Sequence, residues 1–208
     1  MVNKLKIQNY FNLKDKKYSL IDGVVVYTLK VNRDDRGVLV ESLKIDWNQV
    51  FDSKLRPFTQ CYYSITEPGV ARDADRWHYH PTKQEDRFVV ISGDIVIALY
   101  DWRKNSKTYG VLNLFRAGDS QEDDGQYLLL IPINVLHCLK NIGRKRAILL
   151  NFPTKLYDSK EEGRISFKEV KLSNGTTFDW SLIINHCEDN WHWAFRINWF
   201  ENYRTSCR

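Results

Sequence analysis

The sequence predicts an all-β domain, an antiparallel sandwich or barrel, and three observations predict it. From about residue 23 the chain breaks into short runs rich in Val, Ile, Leu and Tyr. Turn signals such as NRDDRG, EPG, SGD and NIGRK separate those runs. No helical periodicity intervenes, which argues against strand–helix–strand units and a parallel sheet.

Taken in order, GVVVYTLKV and GVLVESLKI form the first pair, joined through NRDDRG. QCYYSIT follows and ends at EPG. RFVVISG and DIVIALYDW are joined through Ser92-Gly93-Asp94, which reads as a tight hairpin turn. YLLLIP, LHCLKNIG and RAILLNF complete the set, the last two meeting at IGRK. After Pro153 the character changes to a charged, loop-like stretch, and the C-terminal part crowds in Trp180, Trp191, Trp193 and Trp199. The expected organisation is an N-terminal arm over residues 1–20, a barrel over 21–160, and an aromatic-rich extension over 161–208. That extension is expected to be short-helical or irregular and to pack its rings on the barrel.

Composition bounds what the domain does. A chain of 208 residues fits one domain with a real core, and its 43% hydrophobic and 27% charged shares are ordinary for a soluble globular protein. A net charge of +5 favours anionic ligands such as phosphates but is too small and scattered to argue for nucleic acid. The longest apolar runs, such as YLLLIPINVL, are too short to span a bilayer. The N-terminal residues are basic and polar with no apolar central segment, and Cys61, Cys138, Cys187 and Cys207 form no CxxC pair. A cytoplasmic protein with reduced thiols is the expectation.

The stretch RWHYHPTKQEDRFVVISGD, residues 76–94, gathers chemistry-bearing side chains. His78 and His80 are two apart, so on a strand both project from one face. Glu85 follows near the next apolar run, and His137 lies five residues after Pro132 and four before Asn141. This order resembles the two signature motifs of the cupins, HxH with a following Glu and Gly (here Gly93), then P-x-G-x-x-H-x-x-x-N. Asn134 stands where the second motif usually has Gly, and the Glu-to-Gly spacing is one residue longer than usual. The resemblance implies a cupin double-stranded β-helix, a jelly-roll barrel with a site in its mouth. In metal-binding cupins the matching residues, here His78, His80, Glu85 and His137, hold a divalent ion. Imidazole donors suit Fe, Mn, Ni, Cu or Zn better than Mg or Ca.

Further segments narrow the likeness. RDDRGVLVESL resembles the D-x-R-G-x-F-x-E element of the dTDP-4-dehydrorhamnose 3,5-epimerases, and EPGVARDADRWHYH is similar to their K-P-G-x-x-R-G-L-H-Y-Q segment with about three residues inserted. GDIVIALYDWRKNSKTYG, LLIPINVLHCL and LLNFPTKLYD resemble further elements of that family in the same order. Such an enzyme removes a proton beside the C4 ketone of a nucleotide-linked 4-keto-6-deoxy sugar and returns it on the opposite face. That takes a base, an acid and a donor to the enolate oxygen. The resemblance implies His78 as base, His137 beside it, and Arg36, Arg72 and Glu41 as substrate contacts. It also implies no cofactor, a nucleotide-sugar substrate and a homodimer.

The chain departs from the family's pattern at several positions. The Asp that pairs with the base falls at Lys155, the Tyr acid at Asn151, and the Gln of H-Y-Q at His80. The Lys falls at or beside Asp86 and Arg87, so Arg87 is the expected cationic donor. Glu85 is the carboxylate expected to orient His78, Tyr157 or Tyr79 the stand-in acid, and Asn151 a substrate contact. Two other readings stay open: a metal-dependent cupin enzyme (dioxygenase or isomerase), and a sugar-nucleotide-binding barrel without catalysis.

Overall fold

The computed structural model describes Ile7–Gln8, residues 20–119 and residues 126–182. Two antiparallel sheets lie face to face. The first takes β10 (Leu112–Ala117), β9 (Ile95–Tyr100), β12 (Leu136–Asn141), β7 (Arg76–Tyr79) and β14 (Gly163–Ser166) in that order. The two-residue β6 (Ala71–Arg72) also pairs with β12, and β1 (Ile7–Gln8) runs parallel to β10 at the far edge. The second sheet runs β2 (Val25–Thr28), β11 (Tyr127–Ile131), β8 (Asp86–Ser92), β13 (Ala147–Asn151) and β5 (Tyr62–Thr66). A separate hairpin, β3 (Val31–Asp34) and β4 (Gly37–Val40), joins neither sheet.

Three apolar layers hold the sheets. Between them lie Phe88, Val90, Leu129 and Leu149 from one side and Ile95, Ile97, Leu99 and Phe115 from the other. Outside the first sheet, Trp77, Val96, Ala98, Tyr100 and Leu136 are covered by Phe167, Val170, Leu172, Phe178 and Trp180. Outside the second, Val89, Leu128 and Leu130 lie under Leu29, Val50 and Phe152. Both faces of the central strands are therefore buried. This is why DIVIALY and YLLLI read as continuous apolar runs rather than as an alternation.

The turns carry their own chemistry. Gly93 sits at φ 90°, and a Cβ there would come within 2.6 Å of the Ala147 Cα, so the SGD turn requires glycine. Asn134 adopts φ 58° at the position where the cupin pattern has Gly, and Asn is the side chain that tolerates this region best. In DWRKNSKTYG, the buried Asp101 accepts from Arg103 Nε (2.8 Å), Ser106 Oγ (2.6 Å) and Thr108 Oγ1 (2.6 Å). That segment is a self-satisfied loop that keeps the β9–β10 connection in place.

The expected boundary at residue 160 falls one strand short. Gly163–Ser166 joins the first sheet against β7, with Arg164 opposite His78. The short GRIS run shows no alternation that would mark a strand. Gly163 is required by contact: a Cβ there would lie 2.4 Å from the ring of Tyr79. Beyond it the described residues, to 182, are irregular apart from short 3₁₀ turns at Phe167–Glu169 and Trp180–Leu182 and an isolated bridge between Lys171 and Thr177, and Trp180 packs on Phe178 at 5.2 Å between ring centroids. Trp191, Trp193, Trp199 and most of the N-terminal arm lie outside the described residues.

Candidate active site

The period-two spacing of His78 and His80 turns both rings to the inner side of the first sheet, while Trp77 and Tyr79 face outward. His137 on β12 is the direct register partner of His78. The three rings form a cluster, with centroids 4.7 Å apart for His78–His80, 4.9 Å for His78–His137 and 5.9 Å for His80–His137. His80 and His137 are buried, and His78 is partly open.

The carboxylate that joins the cluster is Asp86. It shares the inward phase of β8 with Phe88 and Val90, whereas Glu85 falls on the other phase with Arg87 and Val89. Asp86 Oδ2 accepts from His80 Nε2 at 3.0 Å and lies 3.5 Å from His137 Nε2. Its Oδ1 accepts from the Gln84 amide (3.0 Å) and the Asn151 amide (3.0 Å). His80 Nδ1 donates to the Glu161 carbonyl at 2.8 Å, so both ring nitrogens of His80 face acceptors. Burial works against its charge, but the Asp86 contact outweighs that and raises its pKa above the ordinary value. His80 and Asp86 therefore form a buried hydrogen-bonded pair in which the carboxylate favours the charged imidazole. Burial alone would push the Asp86 carboxyl up; His80, His137 and Asn151 hold it well below the usual carboxylate range.

The other two histidines are neutral. His137 Nδ1 donates to the Val135 carbonyl (3.1 Å), which leaves a lone pair on a buried Nε2 that has no hydrogen-bond partner among the described residues. Burial, reinforced by His78, lowers its pKa to about 3. His78 Nε2 donates to Glu162 Oε2 at 2.9 Å, leaving the lone pair on Nδ1. Burial, with His80 and Arg164 adding to it, lowers its pKa to about 4. Glu162 is held in turn by Arg164 Nη2 at 3.3 Å, so β14 and the residue just before it supply the group that orients His78.

Several expected site residues are placed elsewhere. The Glu85 carboxylate is spent on Arg56, at 2.6 Å, and reaches neither His78 nor a shared ligand position. Arg87 is fully buried and donates to the carbonyls of Phe152 (2.6 Å), Val50 (3.1 Å), Arg56 (3.0 Å) and Pro57 (2.8 Å), which ties the covering loop to β8 and commits four of its five N–H groups to the backbone. Arg36 is at the exposed tip of the β3–β4 hairpin beside Asp34, and Glu41 follows the hairpin and pairs with Lys44 at 3.5 Å. Tyr157 is 72% exposed on the loop after β13, and Tyr79 lies outward against Trp102 at 5.0 Å.

Asn151 does belong to the network. Its amide bridges Asp86 and the hydroxyl of Tyr62, at 3.0 and 2.7 Å. The charge of Arg72 reaches the same phenol. Lys155, at the position expected for the pairing Asp, instead lines a groove of about 370 Å³ together with Lys83, Pro57, Thr59 and Glu161. Asp86, Gln84, Tyr62 and Glu162 were not singled out as site residues by sequence. The phase of β8 marks Asp86; nothing local marks Glu162, which is 84 residues from its histidine.

This arrangement offers a neutral imidazole with an orienting carboxylate, a second neutral imidazole, and a third imidazole hydrogen-bonded to a carboxylate beneath them. Comparison with known proteins identifies the family. The family model described as dTDP-4-dehydrorhamnose 3,5-epimerase matches residues 19–192. The probable low-salt glycan biosynthesis epimerase Agl13 of Haloferax volcanii is 39% identical over 149 residues, covering 71% of this chain and 88% of that protein. The spore coat polysaccharide biosynthesis protein SpsL of Bacillus subtilis is 33% identical over 78% of this chain and 97% of its own length. Among solved structures, a dTDP sugar isomerase from Desulfovibrio desulfuricans superposes with a TM-score of 0.65 at 24% identity, covering 77% of this chain and 92% of that one, a likeness of fold. The extent of these matches makes this protein a member of the dTDP-4-dehydrorhamnose 3,5-epimerase family.

Proposed function

We propose that this sugar-nucleotide epimerase inverts a carbon next to the C4 ketone of a dTDP-linked 4-keto-6-deoxy sugar, with His78 as the base. The His78–Glu162 pair carries this reading. Nε2–H is held by the carboxylate, so Nδ1 is the free lone pair, and the low pKa keeps the ring neutral at pH 7. When Nδ1 takes the carbon-bound proton, the C–H electrons become a C=C bond and the ketone oxygen gains the negative charge. Glu162 then faces an imidazolium, which it stabilises. Lys83 and Lys155 on the neighbouring groove and Arg72 near Tyr62 supply cations of the kind a diphosphate needs.

The test is isotope exchange. Incubated with dTDP-4-keto-6-deoxyglucose in deuterated water, the protein is expected to introduce deuterium at C3, C5 or both, followed by NMR. If no deuterium enters at either carbon, the reading is overturned.

A homodimer belongs to the same proposal. It is supported by the hairpin that joins neither sheet, on which Val38 and Leu39 are 59% and 63% exposed. A cytoplasmic location is part of it too, because a doubly charged nucleotide sugar does not cross a bilayer unaided. Among the described residues no helix is long and apolar enough to span one.

One observation favours a second reading. His78, His80 and His137 offer ring nitrogens within 4.8 Å of one another, and Asp86 rather than Glu85 is the carboxylate beside two of them. A divalent transition metal held there would polarise a bound carbonyl. To serve as a ligand, His80 would first have to release Asp86 or the Glu161 carbonyl. On this reading, which rests on the three histidines, elemental analysis after metal loading finds about one equivalent of a transition metal; less than roughly a tenth removes it.

A further inference from the structure

We infer that Tyr62 is the acid that returns the proton, replacing the tyrosine that the family pattern places at Asn151; this rests on the epimerase reading above. Asn151 and Tyr62 are direct register partners across β13 and β5, so their side chains project from the same face of the second sheet. The Asn151 amide donates to the phenol oxygen at 2.7 Å. A phenol has one donor and one acceptor function to place. With its oxygen already accepting from Asn151, the O–H proton has no acceptor among the described residues. It is therefore free for a ligand.

The same amide donates to Asp86, which holds His80, so the phenol is anchored to the histidine cluster through a single side chain. The base and the phenol also stand on different sheets. His78 belongs to the first and Tyr62 to the second. A sugar ring held between them presents one face to each, which is what inversion requires. Burial, with Asp86 next in weight, pushes the Tyr62 pKa up to about 12, so the phenol keeps its proton at any working pH. Tyr62 is 48% exposed, as a group that must meet a ligand has to be; the other two tyrosines considered for the role lack its hydrogen bond to the cluster, since Tyr157 lies out on a loop at 72% exposure and Tyr79 faces the outer side of β7.

The step balances without a co-reactant. His78 takes the proton from one face to give the enolate. Tyr62 gives its proton to the same carbon from the other face as the C=O re-forms. The imidazolium and tyrosinate left behind are restored by proton transfer through solvent.

Tyr62→Phe tests this, since abstraction and return are read separately in deuterated water. The variant removes only the hydroxyl and leaves the Asn151–Asp86 bond in place. Exchange at the carbon beside the ketone is expected to continue within a few-fold of wild type, while formation of the inverted sugar falls by roughly 100-fold. Tyr63→Phe, on the opposite phase of β5 and 65% exposed, is expected to leave both unchanged. Inversion by Tyr62→Phe within threefold of wild type overturns the assignment, and so does an equal loss of exchange and inversion. Wild-type protein that neither exchanges nor inverts would instead overturn the epimerase reading itself, and the assignment with it.

Discussion

Replacing His78 by alanine lowers turnover of the 4-keto sugar about 1,000-fold and removes deuterium exchange with it, because no other neutral side chain in the cluster has a carboxylate to steady its protonated form. His137 donates Nδ1–H to a backbone carbonyl, and a carbonyl stabilises an imidazolium far less than a carboxylate does. Its pKa, lowered to about 3, also makes it the weaker base. The fold survives the change, since Glu162 keeps its Arg164 partner at 3.3 Å. Glu162→Gln gives the complementary result: kcat falls by roughly 100-fold while KM stays near wild type, because the lost charge stabilises the imidazolium only after the proton has moved. Steady-state kinetics with both variants, checked by thermal unfolding, decide it. Full activity in either one means that the pair is not the base.

How far the sequence reveals this site depends on which physical signal each residue leaves. His78 and His80 are legible because a strand's period of two is strict, and a buried histidine pair beside apolar runs stands out from its surroundings. His137 is legible through the spacing from Pro132, which the turn at Asn134 enforces. Glu85 is misread by one position. Three polar residues in a row, Gln84, Glu85 and Asp86, hide where the strand phase begins, and a slip of one moves the carboxylate to the other face. Arg87 is misread for a different reason. A cation inside an apolar run looks like a ligand contact, but four backbone carbonyls satisfy it, and carbonyls leave no trace in the sequence. Glu162 is illegible because its partner strand β14 is four residues long and is placed by tertiary packing alone. Arg36 and Glu41 are readable as a motif but not as a location, since their hairpin joins neither sheet.

The buried histidines also predict that the fold weakens steeply in mild acid. His78 and His137 have folded pKa values lowered from 6.5 to about 4 and about 3. The unfolded chain therefore binds two protons near pH 6 that the folded one refuses, so stability falls as pH drops below 6.5. His80 offsets part of this. Its folded pKa is raised, so its contribution is fully present below 6.5 and is lost only as pH rises through the folded value. Asp86, with its folded pKa depressed, loses its contribution only below the ordinary carboxylate value of 3.8. Between pH 7 and pH 5 the two neutral histidines lose about 4 kcal/mol between them and His80 regains a smaller amount, so the expected net loss is about 3 kcal/mol. Urea unfolding at the two pH values measures it. His137→Phe keeps an aromatic ring against Phe88 and removes one of the two protons, so the loss across the same interval should fall by more than half. An unfolding midpoint that does not move between pH 7 and pH 5 would mean that the folded protein takes up these protons as readily as the unfolded chain does, and that burial does not hold the rings neutral.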